Sequence, residues 1–509
     1  MNKELLEDSF FDNINGYSLD LNQRKIILDN TDNVLVVAGA GSGKTLTIVG
    51  KIKYLIEKER VNPKDILCIS FTNETVNSLK EKLDMDIDIY TFHKLSLEIL
   101  KDHHIFYQIA ESDLLEYTIN EYLESNIYFN NYLNYVLNYF MYSIEDNKKL
   151  TIEKVKREFP KIYESYKKLI MSFVNNIKSH GHSINNFKRY IRKNKYIFSR
   201  KKRIKNISFL IIMFDIYRLY LEELNSCYKI DFDMMIDLST KIIEKYGMKR
   251  FYKYIIIDEF QDTSYVRYKL IKRIQEECNS KLLCVGDDFQ SIYRFSGCNL
   301  DLFVNFKKYF KPSHILYMNK TYRNSYDLIK IAYYFIIKNK YQLKKQLISD
   351  KRLKSPIKII YYTRSNYRFI FYRLLDKLIS DGKKELLILG RCNHDINVVY
   401  DGELDNDYIV YKDIKIKYLT VHSSKGLECE NVIILNLIDD ILGFPNKIKD
   451  DEVLNLAFKN KEKYLYAEER RLFYVAITRT KNNVYLLTKK NQESKFVLEI
   501  KRKCEIIDI

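Results

Sequence analysis

The run Val34-Leu35-Val36-Val37-Ala38-Gly39-Ala40-Gly41-Ser42-Gly43-Lys44-Thr45 sets an apolar segment against a glycine-rich turn and a helix start. Continuous β-branched and Leu residues of this length read as a buried parallel strand. A strand, a turn of small residues and then Lys-Thr make a phosphate cradle. Gly41, Ser42 and Gly43 let backbone N–H groups approach phosphate oxygens, Lys44 reaches the β- and γ-phosphates, and the Thr45 hydroxyl ligates Mg²⁺. Ala38 stands where this pattern usually opens with Gly.

Ile255-Ile256-Ile257-Asp258-Glu259 is the second half of the same chemistry. Two carboxylates follow a buried strand: Asp258 to hold Mg²⁺ and Glu259 to polarise the attacking water. A strand-end Asp-Glu pair alone is commonplace. Beside a phosphate cradle it predicts hydrolysis rather than transfer to an acceptor.

Further short apolar runs lie at Ile66–Ser70, Tyr254–Ile257, Lys281–Val285, Glu385–Leu389, Asn431–Leu435 and Asn483–Leu487. Amphipathic helical stretches such as Asn73–Leu83 and Arg267–Cys278 fall between them. This alternation predicts an α/β fold with two doubly wound parallel sheets. Between about residues 95 and 250 the spacing turns helical, with few Gly or Pro, which predicts a mainly helical insertion in the first domain.

The 509 residues allow about three or four domains. Apolar residues at 46% and charged residues at 30% give an ordinary globular balance, and 14 Gly with 5 Pro exclude a collagen-like or linker-dominated chain. No apolar run approaches the ~20 residues that span a bilayer, and Met1–Phe11 lacks the apolar core of a secretory signal. The expectation is a cytoplasmic protein with no membrane partner. Eight scattered cysteines show no C-x-x-C pair, so a metal cluster or disulfide framework has no support. The formal net charge of +18 suits a polyanionic partner. Between Lys188 and Lys205 stand ten basic residues and no acid, interleaved with Tyr190, Tyr196 and Phe198. That density predicts contact with a nucleic-acid backbone.

Asp258-Glu259-Phe260-Gln261-Asp262 resembles the second motif of superfamily 1 DNA helicases of the UvrD/Rep type, and the family's other motifs follow in order. Leu21-Asn22-Gln23-Arg24 resembles the Q motif, Ser70-Phe71-Thr72-Asn73 motif Ia, and Thr91-Phe92-His93 motif Ib. Asp231-Phe232-Asp233 matches an acidic-aromatic segment that precedes the second motif. Gly286–Gly297 resembles motif III, closest to the helicase IV branch. Thr321-Tyr322-Arg323-Asn324 resembles motif IV, Thr420–Glu428 motif V, and Glu469–Thr480 motif VI.

The resemblance implies two RecA-like P-loop motor domains with parallel sheets, the first carrying a 1B-type helical insertion. It implies residues 1–98 and 207–297 for the first motor domain, 99–206 for the insertion and 298–509 for the second. It implies ATP and Mg²⁺ as cofactors, with Gln23 reading the adenine edge, Tyr322 stacking on the base and Glu428 near the ribose or γ-phosphate. Gln290 becomes a γ-phosphate sensor, and Arg323 and Arg479 become arginine fingers brought in by the second domain, so that the site completes when the domains close. Phe71, His93, Tyr293, Phe295 and His422 would line a single-stranded DNA track, with Thr72, Asn73 and Thr420 on phosphates. The implied activity is an ATP-dependent helicase or translocase moving 3′→5′ on single strands and at single-strand/duplex junctions.

Three departures stand out. Ser296 and Leu46 replace arginines common in relatives. Larger relatives insert a 2B subdomain between the segments around Arg391 and Thr420, whereas only 28 residues separate them here, leaving at most a vestige at about 398–414. An alternative follows: a nucleotide-gated DNA-binding or sensing subunit of a nuclease-containing repair or phage-defence complex. A neighbouring nuclease gene would favour it; processive unwinding by the chain alone would favour the helicase. An unrelated P-loop kinase would have no use for the two arginines, Gln290 or the track aromatics.

Overall fold

Strand β1 (Asn33–Val37) is buried along its whole length, as its unbroken apolar run requires of a central parallel strand. The computed structural model describes residues 3–125, 157, 160–412, 414–448, 451–456 and 462–509. In it, β1 lies near the middle of a six-stranded sheet with β2 (Ile66–Ser70), β3 (Asp88–Thr91), β6 (Tyr254–Ile257), β7 (Lys281–Gly286) and β8 (His314–Tyr317). The order is β3-β2-β6-β7-β1-β8, and every pairing is parallel. Because β6 and β7 sit between β1 and β2, the loops leaving β1, β6 and β7 emerge side by side at one carboxyl edge. Open α/β sheets place ligands at such an edge, where the strand order reverses.

The second sheet has seven strands, in the order β11-β12-β10-β13-β14-β9-β15. They are β9 (Ile357–Tyr362), β10 (Leu386–Gly390), β11 (Tyr408–Tyr411), β12 (Ile414–Thr420), β13 (Cys429–Ile434), β14 (Thr480–Lys489) and β15 (Glu505–Ile506). All pairings are parallel except the β11–β12 hairpin. The expected α/β architecture with two parallel sheets is therefore present. Where a 2B vestige was expected, the chain forms a short helical turn (Asn393–Val398) and the β11 edge strand.

Two expected boundaries need correction. The first motor domain was expected to resume at residue 207. The helix Arg200–Ser226 instead buries Phe209, Leu210, Met213 and Ile216 in the core of the insertion, against the helices Leu114–Glu124, Pro160–Ser179 and Asn185–Asn194. The chain returns at a two-stranded ribbon of β4 (Gln108–Ile109) and β5 (Lys229–Ile230), which closes the neck of the insertion. The first motor domain was also expected to end at 297, but β8 pairs with β1 and extends that sheet to Tyr317. Part of the expected insertion, 126–156 and 158–159, lies outside the described residues.

The insertion itself is touched by the second half of the chain. The short helix Glu452–Leu456 belongs to the chain between β13 and β14, yet Val453 is fully buried in the insertion's core. Glu452 and Asp451 pair there with Lys202 at 2.6 Å and Lys205 at 3.6 Å.

Candidate nucleotide site and strand-binding track

Gly41 and Gly43 adopt left-handed backbone conformations, φ +68° and +79°, which glycine adopts without the penalty a Cβ brings. A Cβ on Gly41 would also collide with Arg323, so the turn is shaped to admit the second half of the chain. Lys44 opens the helix Lys44–Glu57, with Thr45 in its first turn. Lys44 Nζ lies 2.5 Å from Glu259 Oε1. Glu259 itself has φ +50°, a strained conformation for a non-glycine residue and one that recurs at functional sites.

Asp258 is buried and accepts a 2.8 Å hydrogen bond from the Glu259 backbone N–H. Burial, then the Glu259 charge, pushes the Asp258 carboxyl up from its ordinary value. Burial also opposes ionisation of Glu259, but the Lys44 and Lys425 ammoniums outweigh it and hold that carboxyl low. The two neighbours are thus driven apart. Asp258 has one carboxylate oxygen on a backbone N–H, and Glu259 is kept anionic. A divalent cation is the natural counter-ion for a buried Asp at such an edge, so the residues present fit Mg²⁺ held by Asp258 and Thr45.

Gln290 bridges the two halves. Its Nε2 donates to Asp287 Oδ2 at 2.6 Å, and its Oε1 accepts from Arg479 Nη2 at 2.9 Å. Arg479 and Glu428 immediately precede β14 and β13, which pair Thr480 with Cys429, so the amino edge of the second sheet faces the carboxyl edge of the first. Arg323 Nε donates to Glu428 Oε2 at 2.7 Å. Its neighbours stitch the same seam: Tyr322 N donates to Gly41 O at 2.8 Å and Thr321 Oγ1 to Ala40 O at 2.7 Å. Arg479 is 1% exposed, and among the described residues its hydrogen bonds go to neutral acceptors: Val475 O, Leu427 O and Gln290 Oε1. Burial, then the Arg323 charge, lowers its pKa to about 9. Arg323 is matched by Glu428, so of the two guanidiniums beside the phosphate cradle it is Arg479 that hydrogen-bonds no carboxylate among the described residues.

Gln23 and Tyr322 stand together at the far side of Gly43. The Gln23 amide is engaged within the protein: Oε1 accepts from Asp20 N at 2.9 Å and Nε2 donates to Thr47 Oγ1 at 3.2 Å. Tyr322 OH donates to Asp20 Oδ2 at 2.8 Å, and its ring is half exposed.

The expected track residues fall into two adjoining groups. On the first sheet, Phe71 packs edge-on against Phe92 at 5.4 Å beneath Arg267, and His93 lies 4.5 Å from the exposed Phe232. Thr72 follows β2 and caps the next helix by accepting from Thr75 N, with Asn73 exposed in its first turn. The second group crosses the seam. Tyr293 OH donates to His422 O at 3.2 Å, and Phe295, 62% exposed, stands 5.6 Å from the His422 ring. Thr420 at the end of β12 repeats the Thr72 arrangement, accepting from Ser423 N. The groups meet at Asp262, whose carbonyl accepts from both Arg267 and Cys298. Burial lowers the pKa of both His93 and His422 to about 4, aided by Arg267 for the first and by Arg391 and Lys425 for the second. At neutral pH both are uncharged rings, suited to stacking.

Sequence reasoning passed over Lys425, which pairs with Asp262 and lies 3.9 Å from Glu259 Oε2. Its place in Ser424-Lys425-Gly426, inside motif V, was the available signal. It also passed over Lys345, for which the sequence carries no signal.

Comparison with known proteins agrees with this geometry. Residues 19–311 match the UvrD/REP helicase N-terminal domain, and residues 401–491 the UvrD-like helicase C-terminal domain. DNA helicase IV of Escherichia coli (strain K12) is 28% identical over 96% of this chain and 71% of its own length. ATP-dependent DNA helicase Rep of Buchnera aphidicola (subsp. Baizongia pistaciae) is 31% identical over 66% of the chain but only 46% of its own length. A probable DNA helicase of Mycoplasma pneumoniae is 24% identical over 92% of the chain and 83% of its own. A phosphate cradle, an Asp-Glu pair and arginines from a second sheet meet in one seam, and the matched N-terminal domain alone covers more than half of the residues. On both grounds the chain belongs to the UvrD/Rep helicase family.

Proposed function

We propose that this protein is an ATP-driven DNA helicase or translocase that moves 3′→5′ along single strands, with hydrolysis coupled to closure of its two motor lobes. The observation that carries this reading is the buried Arg479, bonded to neutral acceptors and set beside Arg323 at the mouth of the phosphate cradle. Two cations at that point favour an anionic triphosphate bound between the lobes, and hydrolysis weakens what holds them together.

In this reading Gly41, Ser42, Gly43 and Lys44 hold the phosphates, Thr45 and Asp258 hold Mg²⁺, and Gln23 and Tyr322 face the base. Mg²⁺ supplies charge neutralisation at the phosphates. Glu259, kept anionic by Lys44 and Lys425, orients water and accepts its proton. Gln290 and Arg479 answer to the terminal phosphate, Arg323 stabilises charge on the departing group, and Glu428 holds Arg323 in place. Phe71, His93, Tyr293, Phe295 and His422 offer ring faces to bases, and Thr72, Asn73 and Thr420 offer polar groups to phosphates. The exposed Tyr196 and Phe198, between the helices Asn185–Asn194 and Arg200–Ser226, make the basic insertion tip a further nucleic-acid contact.

The test is ATPase rate with and without single-stranded DNA, run beside strand displacement on 3′- and 5′-tailed duplexes. Stimulation by the oligonucleotide and opening of the 3′-tailed substrate are expected. A rate indifferent to DNA would overturn the coupling, and opening of the 5′-tailed substrate alone would overturn the polarity.

A further inference from the structure

Lys345 lies in the segment 337–356, between the helix Tyr326–Ile336 of the second lobe and β9, yet its side chain is fully buried against the first lobe. Its Nζ sits 2.5 Å from Asp287 Oδ1, 2.6 Å from Asp288 Oδ1 and 3.9 Å from the Phe289 ring centroid. Neighbours fasten the same turn: Leu343 N donates to Asp288 Oδ2 at 2.8 Å and Gln342 Nε2 to Asp288 O at 3.0 Å. Two residues on, Leu347 presses on the phosphate cradle so closely that a Cβ on Gly39 would collide with its methyls. Ile348 then joins the Thr321–Arg323 segment, donating to Asn319 O at 2.7 Å and accepting from Thr321 N at 2.9 Å. Seven residues therefore touch the Gln290 turn, the cradle and the arginine-bearing segment in succession.

A buried ammonium between two adjacent carboxylates is a poor way to stabilise a core, because apolar residues of similar volume usually do as well or better. Here the arrangement fixes geometry. Asp287 accepts from Lys345 through Oδ1 and from Gln290 through Oδ2. The orientation of the Gln290 amide, and hence its bond to Arg479, depends on where Lys345 holds that carboxylate. Burial works against the Lys345 charge, and the two carboxylates outweigh it.

We propose that Lys345 is a positioning residue for the nucleotide site: acting through Asp287, it sets the Gln290–Arg479 contact and ties it to the cradle and to Arg323. The proposal rests on the ATPase reading above. It assigns Lys345 no contact with nucleotide, so its loss affects turnover rather than binding.

The test compares wild type, Lys345→Arg and the charge-matched pair Lys345→Met with Asp288→Asn by DNA-stimulated steady-state ATPase, with thermal melting as a check on folding. Lys345→Arg keeps the charge but changes its shape and reach. The pair removes one cation and one anion together, so the net charge of the buried cluster is unchanged, and Lys345→Arg keeps the proposal testable should the pair not fold. The expected result is a fall of at least tenfold in kcat, a KM for ATP within threefold of wild type, and a normal melting transition. A folded variant with undiminished kcat, or one whose loss lies wholly in KM, would overturn the role of Lys345 while leaving the seam intact. A wild-type chain without DNA-stimulated turnover would overturn both.

Discussion

The nucleotide seam and the insertion tip both carry concentrated charge, but they handle it in opposite ways. At the seam, Lys345 and Arg479 are buried and Lys44 and Lys425 partly so, and three of the four are matched to carboxylates at contact distance. At the tip, Lys188, Arg189, Arg192, Lys193 and Lys195 are exposed on or just past one short helix. Low dielectric makes each seam contact strong and position-dependent, whereas water and salt screen the tip over about 8–10 Å. In the proposed reading, the seam would then answer to the state of a bound phosphate, and the tip would attract a phosphate backbone only collectively.

Glu259→Gln probes the seam hardest. It keeps the shape and removes the base, so turnover should fall by about 10²–10⁴-fold while filter binding of ATP and of single-stranded DNA persists. Substantial residual hydrolysis would move water activation to another group.

Neutralising those five tip residues to Gln should act differently. DNA affinity should drop while ATPase at saturating DNA is preserved, and the slope of log affinity against log salt should flatten by about 2–4, since each lost phosphate contact removes about 0.7–0.9. An unchanged slope would make the tip a solvated surface and erase the contrast.

The smallest effect concerns pH. His93 and His422 are held neutral, with pKa values near 4 against an ordinary 6.5. Below about pH 6.5 the unfolded chain takes up protons that the folded chain refuses, so stability falls as pH drops towards 4. Urea midpoints at pH 7 and pH 5 should differ, and the difference should shrink in a His93→Phe, His422→Phe double variant. An undiminished difference would place the titration elsewhere.

Legibility in the sequence followed the same divide between forced chemistry and tertiary accident. Strand β2, strand β6 and the helix Asn73–Leu83 fall where expected, because a two-sided buried strand needs an unbroken apolar run and an amphipathic helix needs its spacing. Strand β8 was missed: His-Ile-Leu-Tyr is short and partly exposed at a sheet edge, so no such run was required. The helix Arg200–Ser226 was assigned too early to the first lobe because its basic start and apolar middle give no hint of the surface it meets. The seam's motif residues could be located in the sequence because their motifs have fixed local spacing, and the structure brings them together. Lys345 was unreadable: in Gln342-Leu343-Lys344-Lys345-Gln346 it is one lysine among many, and its two carboxylate partners lie 57 and 58 residues away.

Val453 gives the molecule a mechanical property that neither sheet has alone. It is a hydrophobic peg borne by one lobe and seated in the appendage of the other. A swing of the second lobe must either pull the peg from its socket, wetting a buried valine at a cost of about 1.5–3 kcal/mol, or carry the appendage along. If the lobes move as proposed, either outcome ties the position of the basic tip to the angle between them.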